Sequence, residues 1–329
     1  MKKLIILSFM IILTLLVGCS NTDSDNRELE EISIMLDWYP NAVHSAIYMA
    51  EEKGYFEEEG LKVKVEMPAD TNDPLKLAAT GKVDLAISYQ TQLLMSRAED
   101  IPVVSIASLV RHSLDGIMYL KDNGIESPKD LVGKNVGYPS SSVSEAVLKT
   151  MVEHDGGDAS EVKLTDVGWD LMPSLATKNV DALVGAYVNH ELVLLEKEGY
   201  DVDMFPLTEY GVPDNYELIL VTGEDTFEKK EEAFTKFWRA LTKGQEDVQN
   251  NPAEGLEVLF NNENESFPLD QDVETESLNV LLPLMDDGTL PFGYQEEDVW
   301  QDVANWLYDT GVLKEKVDPS SAFMNIVSK

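Results

Sequence analysis

An α/β fold of two lobes, hinged by two crossing segments, is what this chain predicts, and three observations predict it. Strand-like and helix-like segments alternate over most of its length. The stretch Gly81-Lys-Val-Asp-Leu-Ala-Ile87 has a counterpart in Lys178-Asn-Val-Asp-Ala-Leu-Val184, so two related units follow one another. Two apolar strand-like segments, Gly116 to Leu120 and Tyr216 to Thr222, bracket the second unit, after which the pattern turns helical. Alternation of this kind builds parallel sheets covered by helices through right-handed crossovers.

The elements read in order as follows. Glu31 to Leu36 is a first strand, Ser45 to Glu58 a helix closed by Gly60, and Leu61 to Glu66 an alternating second strand. Pro74 to Thr80 is a helix ended by Gly81, Val83 to Ile87 a short buried strand, and Tyr89 to Arg97 a helix. Pro102 to Leu109 is a strand of the fully buried kind, apolar with few interruptions. In the second unit a helix starts at Ser127 to Leu131, Asn135 to Tyr138 is a strand, and Ser140 to Glu153 is a helix. Glu161 to Val167 and Asp181 to Gly185 are strands around the helix Asp170 to Lys178. Beyond them, Glu228 to Asn250 has the apolar spacing of a long amphipathic helix, with Phe234, Phe237, Trp238 and Leu241 facing inward. Glu297 to Thr310 is another. The expected division is residues 32–115 and 222–329 for lobe 1 and 116–221 for lobe 2.

The first residues bear on location. Lys2 and Lys3 precede the apolar run Leu4 to Val17, which is short for a membrane span but suits a secretory signal, here residues 1–18. Leu16-Val17-Gly18-Cys19 resembles a lipobox, in which the cysteine accepts a diacylglyceryl group after cleavage. Cys19 is the only cysteine, so no intramolecular disulfide can form. Residues 19–31, polar and acidic, read as a tether. The expected placement is the extracytoplasmic face of the cell membrane, held by the lipid.

Charge excludes some partners. Sixty-one acidic against twenty-five basic residues leave a formal charge of −36, and no run of lysine or arginine is present to hold phosphates. Nucleic acid is therefore not an expected partner, and an anionic ligand gains nothing from the overall field. The four histidines are scattered without the spacing of a helical zinc site, and neither a Gly-x-Ser-x-Gly elbow nor a phosphate-binding loop occurs. No metal and no cofactor are expected.

Polar and aromatic residues crowd the end of the first strand in Leu36-Asp-Trp-Tyr-Pro-Asn41 and again in Gly185-Ala-Tyr-Val-Asn-His-Glu191. Open α/β sheets hold small ligands just past the strand ends. The candidates are Asp37, Trp38, Asn41, His44, Tyr89, Gln90, Tyr187, Asn189 and Glu191, followed by Ser140, Ser141, Ser142 and Trp169. Each has a plainer role. Trp38 and Tyr187 can be core packing, Asp37 a cap, Glu191 a dipole-matched helix start, and the three serines a polar helix cap.

With these segments in hand, nearly the whole chain beyond Cys19 resembles the solute-binding proteins of ABC importers. Gly54-Tyr-Phe56 and Gly81-Lys-Val-Asp84 occur across that family, including its sulfonate and nitrate binders. Asp37-Trp-Tyr-Pro-Asn41 and Gly185 to Glu191 are narrower and are similar to the branch that binds pyrimidine precursors of thiamine, its formylaminopyrimidine binders most of all. The resemblance implies a periplasmic-binding-protein fold of type II character, a monomer, and delivery of ligand to a permease served by a separate ATPase. It also implies as ligand a thiamine-precursor aminopyrimidine, whose flat ring suits an aromatic face such as Trp38 or Tyr89. Base–aromatic stacking is worth about 1–3 kcal/mol in other systems. Glu191 or Asp37 can pair with the exocyclic amine and adjacent ring nitrogen of the protonated form, and Asn41, His44, Gln90 and Asn189 can meet the other polar atoms.

Two rivals stand beside this reading. One is a binder of another small solute, such as a sulfonate or nitrate. The other is an enzyme, since eukaryotic relatives of the fold make the thiamine pyrimidine with a lysine that holds pyridoxal phosphate and a histidine that is consumed. The resemblance puts those two positions on Ser88 and Gln92, and a Schiff base needs an amine. Binding rather than catalysis is the expectation.

Overall fold

A computed structural model describes residues 28–70, 73–139, 143–168, 170–286 and 288–329 of the chain. The expected signal segment, Cys19, Ser140, Ser141, Ser142 and Trp169 lie outside the described residues, as does most of the expected tether.

In chain order the first lobe opens with β1 (Glu30–Met35), α1 (Ser45–Glu52), α2 (Tyr55–Glu58), β2 (Leu61–Glu66), α3 (Asp73–Ala79), β3 (Leu85–Ser88), α4 (Gln90–Ala98) and β4 (Val103–Val110). The second lobe follows with β5 (Asp115–Leu120), β6 (Asn135–Tyr138), α5 (Ser144–His154), β7 (Lys163–Asp166), α6 (Leu171–Ala176), β8 (Ala182–Tyr187), α7 (Glu191–Lys197) and β9 (Val202–Pro206). The chain then returns with β10 (Leu218–Gly223), α8 (Glu224–Asn250), α9 (Pro252–Asn261), α10 (Gln271–Met285) and α11 (Glu297–Asp309).

Each lobe is built on a five-stranded sheet, ordered β2-β1-β3-β10-β4 in the first and β7-β6-β8-β5-β9 in the second. Apolar clusters cover both faces of each sheet. Where a strand is covered on both faces it cannot alternate, and β3, β4 and β10 are buried along their whole length. At the sheet edge β2 does alternate, with Lys62 and Lys64 turned to solvent. Charged residues there discourage pairing with another chain. The opposite edge, β4, is covered by the C-terminal segment: Ser105 donates its N–H to the Ala322 carbonyl at 2.9 Å, and Met324 donates to the Ser105 carbonyl at 2.8 Å.

Four expectations need correction. The sheets are mixed, because β5 runs antiparallel to β8 and β9 and β10 antiparallel to β3 and β4. Each of these strands is the first after a crossing between lobes, and with no helix to reverse the chain it enters its sheet from the far side. Leu218–Gly223 belongs to the first sheet, so the chain is back in lobe 1 ahead of residue 222. Finally, Gly54 at φ 73° breaks the expected helix Ser45 to Glu58 into α1 and α2, since only glycine adopts that backbone without strain. The expected helix start at Ser127 to Leu131 is a single 3₁₀ turn, Pro128–Leu131.

Two short crossings, residues 111–114 and 211–217, connect the lobes and are strapped to each other. Asp214 accepts the Ser113 N–H at 3.0 Å and lies 2.6 Å from the His112 Nδ1. The lobes also touch away from the crossings. Lys197 of α7 pairs with Asp270 and Asp272 at the start of α10, and the Trp306 indole of α11 donates to the Thr150 hydroxyl of α5 at 3.1 Å. No helix of the described residues is long and apolar enough to cross a membrane.

Candidate functional site

The loop between β1 and α1 brings the first set of groups to the seam between the lobes. Asp37, 5 % exposed, lies with one carboxylate oxygen 3.0 Å from His44 Nε2 and accepts the Tyr89 hydroxyl on the other at 3.3 Å. His44 Nδ1 accepts the Asn41 backbone N–H at 3.2 Å, so the imidazole proton sits on Nε2 and is donated to Asp37. With both nitrogens engaged and no exposed surface, His44 supports Asp37. Asn41 is likewise a helix cap: its side-chain oxygen accepts the Val43 N–H at 3.1 Å and its amide donates to the Tyr39 carbonyl. Gln90 is fully buried, accepting the Tyr216 N–H at 2.9 Å and reaching the Val299 carbonyl, so it pins the returning chain to lobe 1. These three side chains thus have partners within the chain.

From the second lobe comes the turn after β8. Glu191 opens α7, where a carboxylate suits the helix dipole. Its oxygens accept the Tyr187 N–H at 2.9 Å and approach His190 Nδ1 at 3.0 Å. Burial works against the charge of both residues, yet each supports the other. The His190 imidazole is held above its ordinary range by the Glu191 bond and charge, and Glu191 is held below the usual carboxylate range by His190 and backbone donors. Asn189, 5 % exposed, donates to the Ser277 hydroxyl of α10 at 3.0 Å, while its side-chain oxygen is buried without a partner among the described residues.

The two sets meet. The Tyr39 hydroxyl lies 3.3 Å from His190 Nε2, with Trp38 beside Tyr39 at a ring separation of 5.7 Å. So the loop of Trp38 and the turn of Glu191, far apart in the chain, adjoin across the seam. Phe267, 43 % exposed on the loop before α10, stacks flat on Tyr39 at 5.0 Å. Tyr89 and Tyr187 lie with their hydroxyls in bonding reach, and Tyr187 donates to Glu217 at 2.8 Å. Burial, with Asp37 and Glu217 nearby, pushes both phenols far up, so they stay protonated and act as donors.

Further residues complete the site that the sequence did not single out. Asp115 accepts the N–H groups of Gly116 at 2.6 Å and Gly185 at 2.9 Å, and burial beside Glu217 raises its carboxyl well above the usual range. Glu217 and Glu274 are also pushed up by burial. Glu274 accepts the Ala42 N–H at 2.7 Å, tying α10 to the β1–α1 loop. A retrospective signal exists for two of them: Asp115 and Glu217 are the acids that lead an apolar strand directly after each crossing. Glu274 and Ser277 carry no such signal, because they sit on a helix whose packing only the tertiary structure sets.

In chemical terms the seam gathers carboxylates and aromatic rings. Among the described residues no lysine or arginine is ion-paired to Asp37, Asp115, Glu191 or Glu217. Such a site accepts hydrogen bonds, which suits a donor-rich or cationic ring and repels an anion. Ser88, at the position the resemblance gives to the enzymes' lysine, donates its hydroxyl to Gln92, at that of their histidine, at 2.8 Å. No group of three or more histidine, cysteine, aspartate or glutamate side chains among the described residues is placed to hold a metal ion.

Comparison with known proteins adds four findings. The family pattern described as NMT1/THI5 like matches residues 41–255. The chain is 45 % identical over 328 residues to the formylaminopyrimidine-binding protein of Halalkalibacterium halodurans, covering 99 % of each. It is 27 % identical over 238 residues to the 4-amino-5-hydroxymethyl-2-methylpyrimidine phosphate synthase of Aspergillus parasiticus, covering 69 % of each. Among solved structures, the alkanesulfonate-binding protein SsuA of Xanthomonas axonopodis pv. citri bound to MOPS superposes with a TM-score of 0.69 at 13 % identity, over 91 % of this chain and 99 % of that one. At that identity the likeness concerns the two-lobed binding-protein fold alone.

Proposed function

The chain belongs to the NMT1/THI5-like family, and from that premise we propose that it is a solute-binding lipoprotein which captures a thiamine-precursor aminopyrimidine, formylaminopyrimidine, between its lobes. The observation that carries this reading is the seam itself: acceptor groups converge there from both lobes, and among the described residues the Asn189 oxygen lacks a donor and no basic side chain pairs with the cluster. An aminopyrimidine supplies what the seam lacks, a flat ring whose exocyclic amine and, once protonated, ring nitrogen are adjacent donors.

The contacts we assign are stacking against Trp38 or Tyr89, a paired hydrogen bond to Glu191, and bonds to Asn189 and Asp37. Capture from micromolar to nanomolar solution requires about −8 to −12 kcal/mol. One stacked ring, one bidentate carboxylate and several satisfied polar atoms are in that range once ordering costs are subtracted. Ligand held by both lobes favours the closed form, and the closed surface is what docks on the permease. The hinge in this reading is residues 111–114 and 211–217. Cys19 carries the lipid that keeps the protein on the extracytoplasmic face, a separate ATPase drives import, and the protein works as a monomer.

Binding is preferred to synthesis because a hydroxyl and an amide, Ser88 and Gln92, stand where the enzyme reading needs an amine and an imidazole. A sulfonate ligand is disfavoured by the carboxylates. The test is mass spectrometry of small molecules released on denaturing the freshly purified protein, followed by calorimetric titration with formylaminopyrimidine. A pyrimidine mass and saturable binding are expected; a sulfonate, or no heat with the pyrimidine, overturns the reading.

A further inference from the structure

Glu217 lies on the return crossing, one residue before β10, and is 7 % exposed. Its carboxylate gathers donors from three places. One oxygen accepts the Tyr187 hydroxyl at 2.8 Å, at the end of β8 in lobe 2. The other accepts the Leu114 N–H at 3.1 Å and the Ser113 hydroxyl at 3.3 Å, both on the outgoing crossing. The Asn215 side chain also bonds to it, from the same crossing as Glu217. A carboxylate offers about four acceptor positions. These four donors fill them, so Glu217 has no capacity left for a ligand.

Its neighbour is anchored to lobe 1. Tyr216 is 1 % exposed, gives its N–H to Gln90, and accepts the Glu296 N–H on its hydroxyl at 2.7 Å. Hence the pair Tyr216-Glu217 is bolted to the first lobe on one side and holds the second lobe through a single phenol on the other. That phenol belongs to Tyr187, whose own backbone N–H is bonded to Glu191.

We propose that Glu217 is a hinge latch, a positioning residue that sets ligand affinity without touching the ligand by tying both crossings to Tyr187 in the closed arrangement. The idea rests on the capture reading given above. Its consequence is that affinity depends on a bond chain, Glu217 to Tyr187, outside the ligand's own contacts.

The experiment is a double-mutant cycle of Glu217→Ala and Tyr187→Phe, read by calorimetric titration with formylaminopyrimidine and by small-angle X-ray scattering with and without it. Each single variant is expected to lose about tenfold or more in affinity, the loss typical of removing a hydrogen bond to a charged group. The double variant should lose no more than either single one, since both break the same bond. The saturated variants should stay more expanded than saturated wild type. Glu217→Gln guards against misfolding: its amide oxygen can keep Leu114 and Ser113 while its NH₂ donates to the Tyr187 oxygen, and binding within about threefold of wild type is expected. Additive losses, or a weakened variant that still compacts fully, would overturn the latch. Should wild type ignore formylaminopyrimidine, the capture reading fails by itself, and the latch is then judged on the ligand-free scattering: expansion in Glu217→Ala and Tyr187→Phe supports it, and curves identical to wild type reject it.

Discussion

Single carboxylates in this protein take opposite electrostatic roles according to what faces them. Glu191, bonded to His190 and a backbone N–H, is kept ionised, whereas Asp115, buried near Glu217 with only two backbone donors, is pushed toward its neutral form. The first role suits recognition of a donor pair. Glu191→Gln is therefore expected to weaken formylaminopyrimidine binding by about 1.5–3 kcal/mol, while Glu145→Gln, exposed on α5, should stay within calorimetric error. Equal losses would remove Glu191 from the contact set. Asp115 leads to the opposite kind of test. An acid whose folded pKa lies above its unfolded one stabilises the fold while protonated, and that contribution is lost as pH rises through the folded value. Above it, wild type carries a buried charge that asparagine lacks, yet asparagine keeps an oxygen for Gly116 and Gly185. Asp115→Asn should thus raise stability by about 0.5–2 kcal/mol in denaturant titrations at pH 8, with the gain shrinking toward pH 4. A loss at pH 8 would show that the charge is compensated.

Among the elements, α8 shows how a helix is held by what it omits. Gly244 is buried where α8 crosses α1, and a β-carbon there would stand 2.3 Å from the Ala46 carbonyl oxygen and 3.0 Å from the Ala50 side chain. Alanine in a helix interior normally gains about 0.5–1 kcal/mol over glycine. Here backbone contact outweighs propensity, so Gly244→Ala should destabilise by about 1–3 kcal/mol in thermal or urea unfolding. A stabilised variant would mean the two helices can separate without cost. The amphipathic spacing from Glu228 to Asn250 made α8 legible in the sequence, with Phe234, Phe237, Trp238 and Leu241 on the buried side as expected. The close approach at Gly244 was not legible, because it depends on where α1 lies.

For the molecule as a whole, charge is the governing term. A formal charge of −36 on a chain of this size repels itself, and the ion pairs present are largely at the surface, where each contributes little. Screening that repulsion should help: raising sodium chloride from about 20 mM to about 300 mM shortens the Debye length from roughly 20 Å to roughly 6 Å. The melting temperature is expected to rise by about 2–4 °C, the shift that ~1 kcal/mol produces in a large domain. A melting point that falls with salt would mean the ion pairs outweigh the repulsion.

The sequence by itself determined the alternation of strands and helices, the buried character of β3 and β4, and the two polar segments that end near the seam. Those features follow from local periodicity, which each segment carries alone. Only the tertiary structure decided the direction of β5 and β10, because direction depends on the side from which a crossing chain enters its sheet. It also decided which polar groups share the seam. Asp37, Tyr89, Tyr187 and Glu217 are joined by bonds between residues far apart in the chain, while His44, Asn41 and Gln90, equally polar on paper, are engaged by backbone donors, those of His44 and Asn41 close in sequence. A side chain's chemistry is written in its type, but whether that chemistry is spent on the fold or left for a ligand depends on which neighbours reach it first.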